Sequence, residues 1–240
     1  MLVSKCLLTN KNKLKYNLLA QNLESFMDSI NKSNKNKSIK SKSITSKSIT
    51  RMSSIKRKAK IVNAVLSIAD KNGPDRLSTA TIAKASGLTH AGIFRHFPAK
   101  QDIWIAVANE IALQAEKQWA APLAKTLTPR QKIEALVSAQ LAFLANTPAI
   151  LTILFSYELQ CANKELRNIF TNLMMKFKQY LTDEFALSGN EKNASDLSFL
   201  IIALIQGLAL RGSISQRSFN FEEEGKKYLK LQLDMINFND

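Results

Sequence analysis

The chain is short of cysteine, histidine, glycine and acidic residues, and each shortage removes a class of function. It has two cysteines in 240 residues, Cys6 and Cys161, which lie far apart and form no Cys-x-x-Cys pair. Neither a disulfide framework nor a thiolate zinc site is expected, and two reduced thiols suit a cytoplasmic protein. The two histidines, His90 and His96, stand at i, i+6. That spacing puts their rings on different helix faces, whereas i, i+4 would put them on one. No cysteine or carboxylate lies in the surrounding stretch LTHAGIFRHFPAK, residues 88–100, so neither a metal nor a cofactor is expected. The seven glycines form no phosphate-cradling loop, and no Walker pattern or triad is visible. The longest apolar run, Leu197 to Leu210, is interrupted by Ser198, Gln206 and Gly207. It falls short of the roughly 20 apolar residues that span a bilayer, so no membrane association is expected.

Acidic residues number 19 against 34 basic ones, and the excess is uneven. Residues 1–60 hold 15 Lys or Arg and 2 Asp or Glu, leaving 19 basic and 17 acidic residues in 61–240. The basic character therefore belongs to the N-terminal quarter. Within it, NKSNKNKSIKSKSITSKSIT at 31–50 is of low complexity, with SKSIT in tandem. Such a composition cannot bury a core, and disorder is expected across 1–52. Three readings stay open for this extension: a basic arm on DNA phosphates, a solvated tail, or leader sequence upstream of a natural start at Met52.

What remains reads as helix throughout. Ile61, Val65, Ile68 and Ala69 recur on one helix face, and Asn72-Gly73-Pro74 stops that helix. Ser78 caps a short helix carrying Ile82, Ala83 and Ala85, and Gly87 supplies the turn after it. Thr89 caps a second short helix that Pro98 ends. A long helix follows over about 99–120, then others at about 129–145, 148–160, 163–187, 193–216 and 221–237. The expected fold is all-α, with about nine helices: a three-helix head over 53–104 and a bundle over 105–240.

Two short helices joined by a tight glycine turn, with a third before them, make a helix-turn-helix. Ile93 and Phe97 anchor the second short helix from below. Thr89, His90, Ala91, Gly92 and Arg95 are left to face outwards, as a helix entering the major groove requires.

The run from Ile82 and Ala83 through Ala85, Gly87, Leu88, Thr89, Ile93, Phe94, His96, Phe97 and Pro98 to Lys100 resembles the N-terminal domain of TetR-family transcriptional regulators. The likeness covers about 57–104. It implies a homodimer whose paired recognition helices read a roughly palindromic double-stranded operator, with half-sites about 34–36 Å apart or a multiple of that. It further implies base contacts from Thr89, His90, Ala91 and Arg95. Phosphate contacts fall to Ser78, Thr79, Gly92, Phe94, His96 and Lys100. Lys100 stands where the helix dipole disfavours a cation, and a docked phosphate would satisfy both lysine and amides. Three positions depart from the family habit. Phe94 stands where tyrosine is common, Ala99 where serine caps the helix, and Gly92 where threonine is common. Asp102 is placed to recover part of the lost cap.

The resemblance also implies a small-molecule effector among the middle helices, which carry Trp104, Trp119, Phe143, Phe155, Tyr157, Met174 and Phe177. Ligand pockets are mostly apolar, but so is ordinary core. The last two helices would form the dimer interface through Leu197, Leu200, Ile201, Leu204, Ile205, Leu208, Tyr228, Leu229 and Ile236. The bland alternative places the same residues in the core of one subunit. The resulting expectation is a cytoplasmic DNA-binding repressor released by a ligand, not an enzyme. The alternative is a helical ligand-binding or interaction protein without operator binding. An enzyme would need a nucleophile and base, or carboxylates, converging on a pocket, whereas the histidines crowd a segment expected to be exposed.

Overall fold

Local signals account for most helix ends. Ser78 accepts the Thr81 amide at 3.1 Å and Thr81 Oγ1 accepts the Ser78 amide at 3.0 Å, a reciprocal cap. Thr89 accepts the Gly92 amide at 3.1 Å. Gly87 takes φ 62°, the left-handed conformation that ends a helix most cheaply in glycine. Ala99 offers no cap, and the Asp102 carboxylate accepts the Ala99 amide at 2.8 Å.

The computed structural model describes residues 45–215 and 218–238. Ten α-helices lie among the described residues: α1 Thr45–Asn72, α2 Thr79–Ser86, α3 His90–His96, α4 Lys100–Ala124, α5 Pro129–Asn146, α6 Ala149–Leu154, α7 Tyr157–Ala162, α8 Lys164–Phe185, α9 Ala194–Ile214 and α10 Phe221–Asp234. The all-α expectation holds, with one more helix than the nine expected. The single helix read over 148–160 is two, because Ser156 restarts the chain by accepting the Leu159 amide at 3.3 Å. Most of the expected disordered extension lies outside the described residues. Its last part, from Thr45, is already helical. Extending an existing helix costs far less than starting one.

The chain divides after Ser53, and the unit Ser54–Asp240 carries the core. One apolar cluster runs from Ile61 through Ile82, Ile93 and Phe97 to Leu233. Helix α4 threads it with Ile103, Trp104, Val107, Ile111, Ala115 and Trp119 all buried, and it crosses position 104 without a break. Gly225 of α10 lies so close to α5 that an added Cβ would sit 2.5 Å from a Leu141 methyl. Lys132 of α5 meets the buried Glu184 of α8 at 3.2 Å.

Helix α9 corrects one expectation. It is 21 residues long and, by length and composition alone, apolar enough to cross a membrane. The helix expected over 193–216 is present; the apolar run Leu197 to Leu210 lies inside it, and the whole helix rather than that run reaches the length of a span. Its apolar surface has two destinations. Ile201, Ile205 and Leu208, with Leu229 of α10, are buried inside the subunit. Those four expected interface residues belong to its own core. Leu197, Leu204 and Ile236 are half-buried. Leu200 and Tyr228 are exposed, together with Phe199, Leu210, Leu231, Ile214 at 75% and Met235 at 79%. A helix apolar nearly all round gives no sign in its sequence of which face turns inwards. Gly207 lies on the outward face with nothing within 4 Å of an added Cβ. Within the subunit the close helix approach is at Gly225.

Candidate nucleic-acid interface

Helix α3 is held from beneath and bare above. Ile93 and Phe97 are buried against the head, which fixes the helix axis. Thr89, His90, Ala91, Phe94 and Arg95 are exposed, and Gly92 and His96 are half-buried. The expected base-reading residues therefore share the outward surface of one short helix, the arrangement a major groove accepts.

The side chains on that surface are ordered by one another. Thr79 Oγ1 and His90 Nε2 are 2.8 Å apart, so an expected phosphate contact on α2 holds an expected base contact on α3. The His90 ring meets Phe94 edge-on, with centroids 4.9 Å apart. Phe94 thus supports a histidine where a tyrosine would have offered a hydroxyl. The Gly92 amide already donates to Thr89, and a Cβ at Gly92 would come within 3.1 Å of that Thr89 oxygen. Glycine here leaves room for the cap, and a phosphate at this amide would have to share it. Ser78 is exposed beside α2 and keeps one hydroxyl lone pair beyond its cap.

At the other edge, Lys100 is the exposed first residue of α4. The dipole of a long helix opens there, partly answered by Asp102. His96 faces cations. Its pKa lies below the ordinary histidine value, chiefly because burial disfavours the imidazolium, with repulsion from Arg57, Lys58 and Arg95 adding to it. Arg57 and Lys58 belong to α1, and Lys58 Nζ also sits 5.3 Å over the Phe97 ring. Lys60 Nζ lies 3.5 Å from where a Gly87 Cβ would be. These three α1 cations escaped the residue-by-residue reading, although the run SIKRKAK showed their charge. Only folding shows that they flank α3.

The expected effector residues do not converge. Trp104, Trp119 and Phe177 are buried core, and Trp119 packs on Phe177 at 4.9 Å while donating to Gln140 at 2.9 Å. Phe155 and Tyr157 are exposed at the α6–α7 corner. Met174 lines an open groove with Leu154 and Phe170. Phe143 lines a different cleft, beside Asn63 and Glu110.

Comparison with known proteins agrees with this geometry. Residues 61–107 match the family model of bacterial regulatory proteins, tetR family. The chain is 26% identical over 189 residues to nucleoid occlusion factor SlmA of Aliivibrio fischeri (strain MJ11), covering 77% of this chain and 91% of that protein. The SlmA of Vibrio cholerae is 24% identical over 176 residues, covering 73% and 88%. Among solved structures, a transcriptional regulator from Rhodococcus sp. Rha1 superposes with a TM-score of 0.66 at 18% identity, covering 75% and 95%. FadR from Bacillus subtilis, solved in complex with stearoyl-CoA, gives 0.62 at 18% identity, covering 74% and 98%. At these identities the structural likeness speaks for the fold.

Proposed function

We propose that the chain is a cytoplasmic, homodimeric, sequence-specific DNA-binding regulator of the TetR kind, a reading supported by the match of residues 61–107 to the tetR-family model and by the fold. It represses transcription until a small molecule releases it. The observation that carries this reading is α3: a short helix with Arg95, His90 and Ala91 exposed, its underside locked by Ile93 and Phe97. Thr89, His90, Ala91 and Arg95 read bases. Ser78, Thr79, Gly92, Phe94, His96 and Lys100 hold the phosphates, joined by Arg57, Lys58 and Lys60.

The dimer forms through the outward faces of α9 and α10. Phe199, Leu200, Leu210 and Ile214, with Tyr228, Leu231 and Met235, leave an apolar surface that a monomer would expose to water. A second copy presents the same face about a two-fold axis. The Arg211–Glu224 ion pair ties the two helices together at that edge. The ligand-bound relative of the fold, FadR with stearoyl-CoA, supports effector control.

Selection of duplexes from a random pool tests the reading. A roughly palindromic consensus is expected, bound with a steep loss of affinity as salt rises. Recovery of no consensus would overturn operator binding. The relatives named nucleoid occlusion factors favour a second reading, in which the DNA-bound dimer acts at the nucleoid rather than at a promoter. Mapping occupied sites across the genome separates the two: promoter-proximal sites fit the repressor, and sites away from promoters fit the nucleoid role.

A further inference from the structure

A cleft of about 360 Å³ opens where head helix α1 meets α4 and the C-terminal end of α5. Asn63 and Leu66 come from α1. Glu110, Gln114 and Gln118 stand at i, i+4 and i+8 on one face of α4, and Asn146 and Thr147 close the α5 end. Ile111 and Phe143 complete an apolar floor with Leu66. The volume lies at the small end of ligand sites.

The hydrogen bonds inside the cleft give it a sign. Gln114 Nε2 donates to one Glu110 oxygen at 2.7 Å, and Asn146 Nδ2 donates to the Ala142 carbonyl at 2.8 Å. Each of these amides commits one of its two N–H groups to protein, and the only formal charge on the lining is that of Glu110. Acceptors remain for an occupant: the second Glu110 oxygen and the side-chain oxygens of Gln114 and Asn146. Helix α5 has no basic residue in its last turn, so the negative end of its dipole is not offset there. No lysine or arginine lines the cleft. A carboxylate, amide oxygens and a helix C-terminus converge on a half-enclosed space with an apolar floor. The Glu110 charge disfavours an anion there and suits a compact cation with N–H donors.

We propose that this cleft binds a small organic cation, its ammonium or guanidinium group on Glu110 and its carbon frame on Leu66 and Phe143. The occupant touches α1 and both body helices, so it ties the head's first helix to the body. Its role as effector rests on the DNA-binding reading above; its existence as a cation site does not.

The test uses the full chain, titrated calorimetrically without DNA. The probes are tyramine and phenylguanidine, each against its uncharged analogue, tyrosol and phenylurea. Both cations are expected to bind at least about tenfold more tightly than the analogues, as a charged hydrogen bond allows. Glu110→Gln abolishes that preference. Gln118→Glu, at an exposed position that tolerates change, increases it several-fold and keeps the test valid should Glu110→Gln fold poorly. Cations that bind no better than the neutral analogues, or a preference unmoved by both substitutions, would overturn the site. The same cations at saturation are expected to change duplex affinity by about fivefold or more. An unchanged duplex affinity would overturn the effector role, while absence of any operator would count against the DNA reading and leave the cation site standing.

Discussion

Helices α3 and α9 both show the solvent a face that no described residue buries, and the two faces differ in kind. Helix α3 is seven residues long and offers His90, Ala91 and Arg95, with Lys58, Lys60 and Lys100 around it. Helix α9 is 21 residues long and offers Phe199, Leu200, Leu210 and Ile214. A polar, cationic surface is content in water and gains most from a polyanion whose counterions it can displace. An apolar surface gains from anything that excludes water, and a second copy of the same helix is the nearest such thing. The difference separates what is recognised from what does the recognising. It also predicts that damage to the two faces is read by different measurements.

The largest effect is expected on the apolar face. Leu210→Asp should weaken self-association by about 2–4 kcal/mol, as loss of a central interface anchor does. Sedimentation should then show monomer, and duplex binding should fall with it. A variant that stays dimeric would break the assignment of this face.

Gly225→Ala comes next and belongs to neither face. The new methyl meets Leu141 at 2.5 Å, and overpacking of this kind costs about 1–3 kcal/mol. Thermal unfolding should begin several degrees lower, while the duplex consensus of the surviving fold stays the same.

On the polar face, Arg95→Ala should cost about 1–3 kcal/mol on the preferred duplex and relax the choice of base at its position. Lys100→Ala should weaken all duplexes alike and lower the salt slope by about one. Equal loss of specificity from both would erase the division between reading and holding.

The smallest effect is the protonation of His96. Its folded pKa lies below the unfolded value, so the folded chain binds fewer protons. Stability is therefore complete above the unfolded value, near 6.5, and declines as pH falls towards the lowered folded value. A phosphate beside the ring reverses the sign for binding, because the complex then takes up a proton. Duplex affinity should rise modestly as pH drops below about 6.5, and His96→Gln should flatten both profiles.

Much of the head was legible in the sequence because its signals are local. Ser78, Gly87 and Thr89 act within three or four residues of themselves, and each does what its position predicts. The exposure of α3 was legible too, since Ile93 and Phe97 are its apolar anchors and, Phe94 apart, the rest of the helix is small or polar. The body was less so. Ser156 splits the stretch 148–160 into α6 and α7, and one serine is a weak signal by itself. Trp104, Trp119 and Phe177 suit a pocket and a core equally well by composition. The core claimed them because a close-packed interior takes large rings wherever their surfaces fit.

By itself the sequence determined the helical periods, the caps and turns, and the chemistry carried by the recognition segment, all of which depend on neighbours a few bonds away. Tertiary structure alone decided which side of α9 turns inwards, that Gly225 admits a neighbouring helix within the subunit, that three α1 cations flank α3, and that Glu110 and Asn146 meet Asn63 across a cleft. Those facts depend on how distant segments are rotated against one another, and helical periodicity records the face of a helix without recording what lies opposite it.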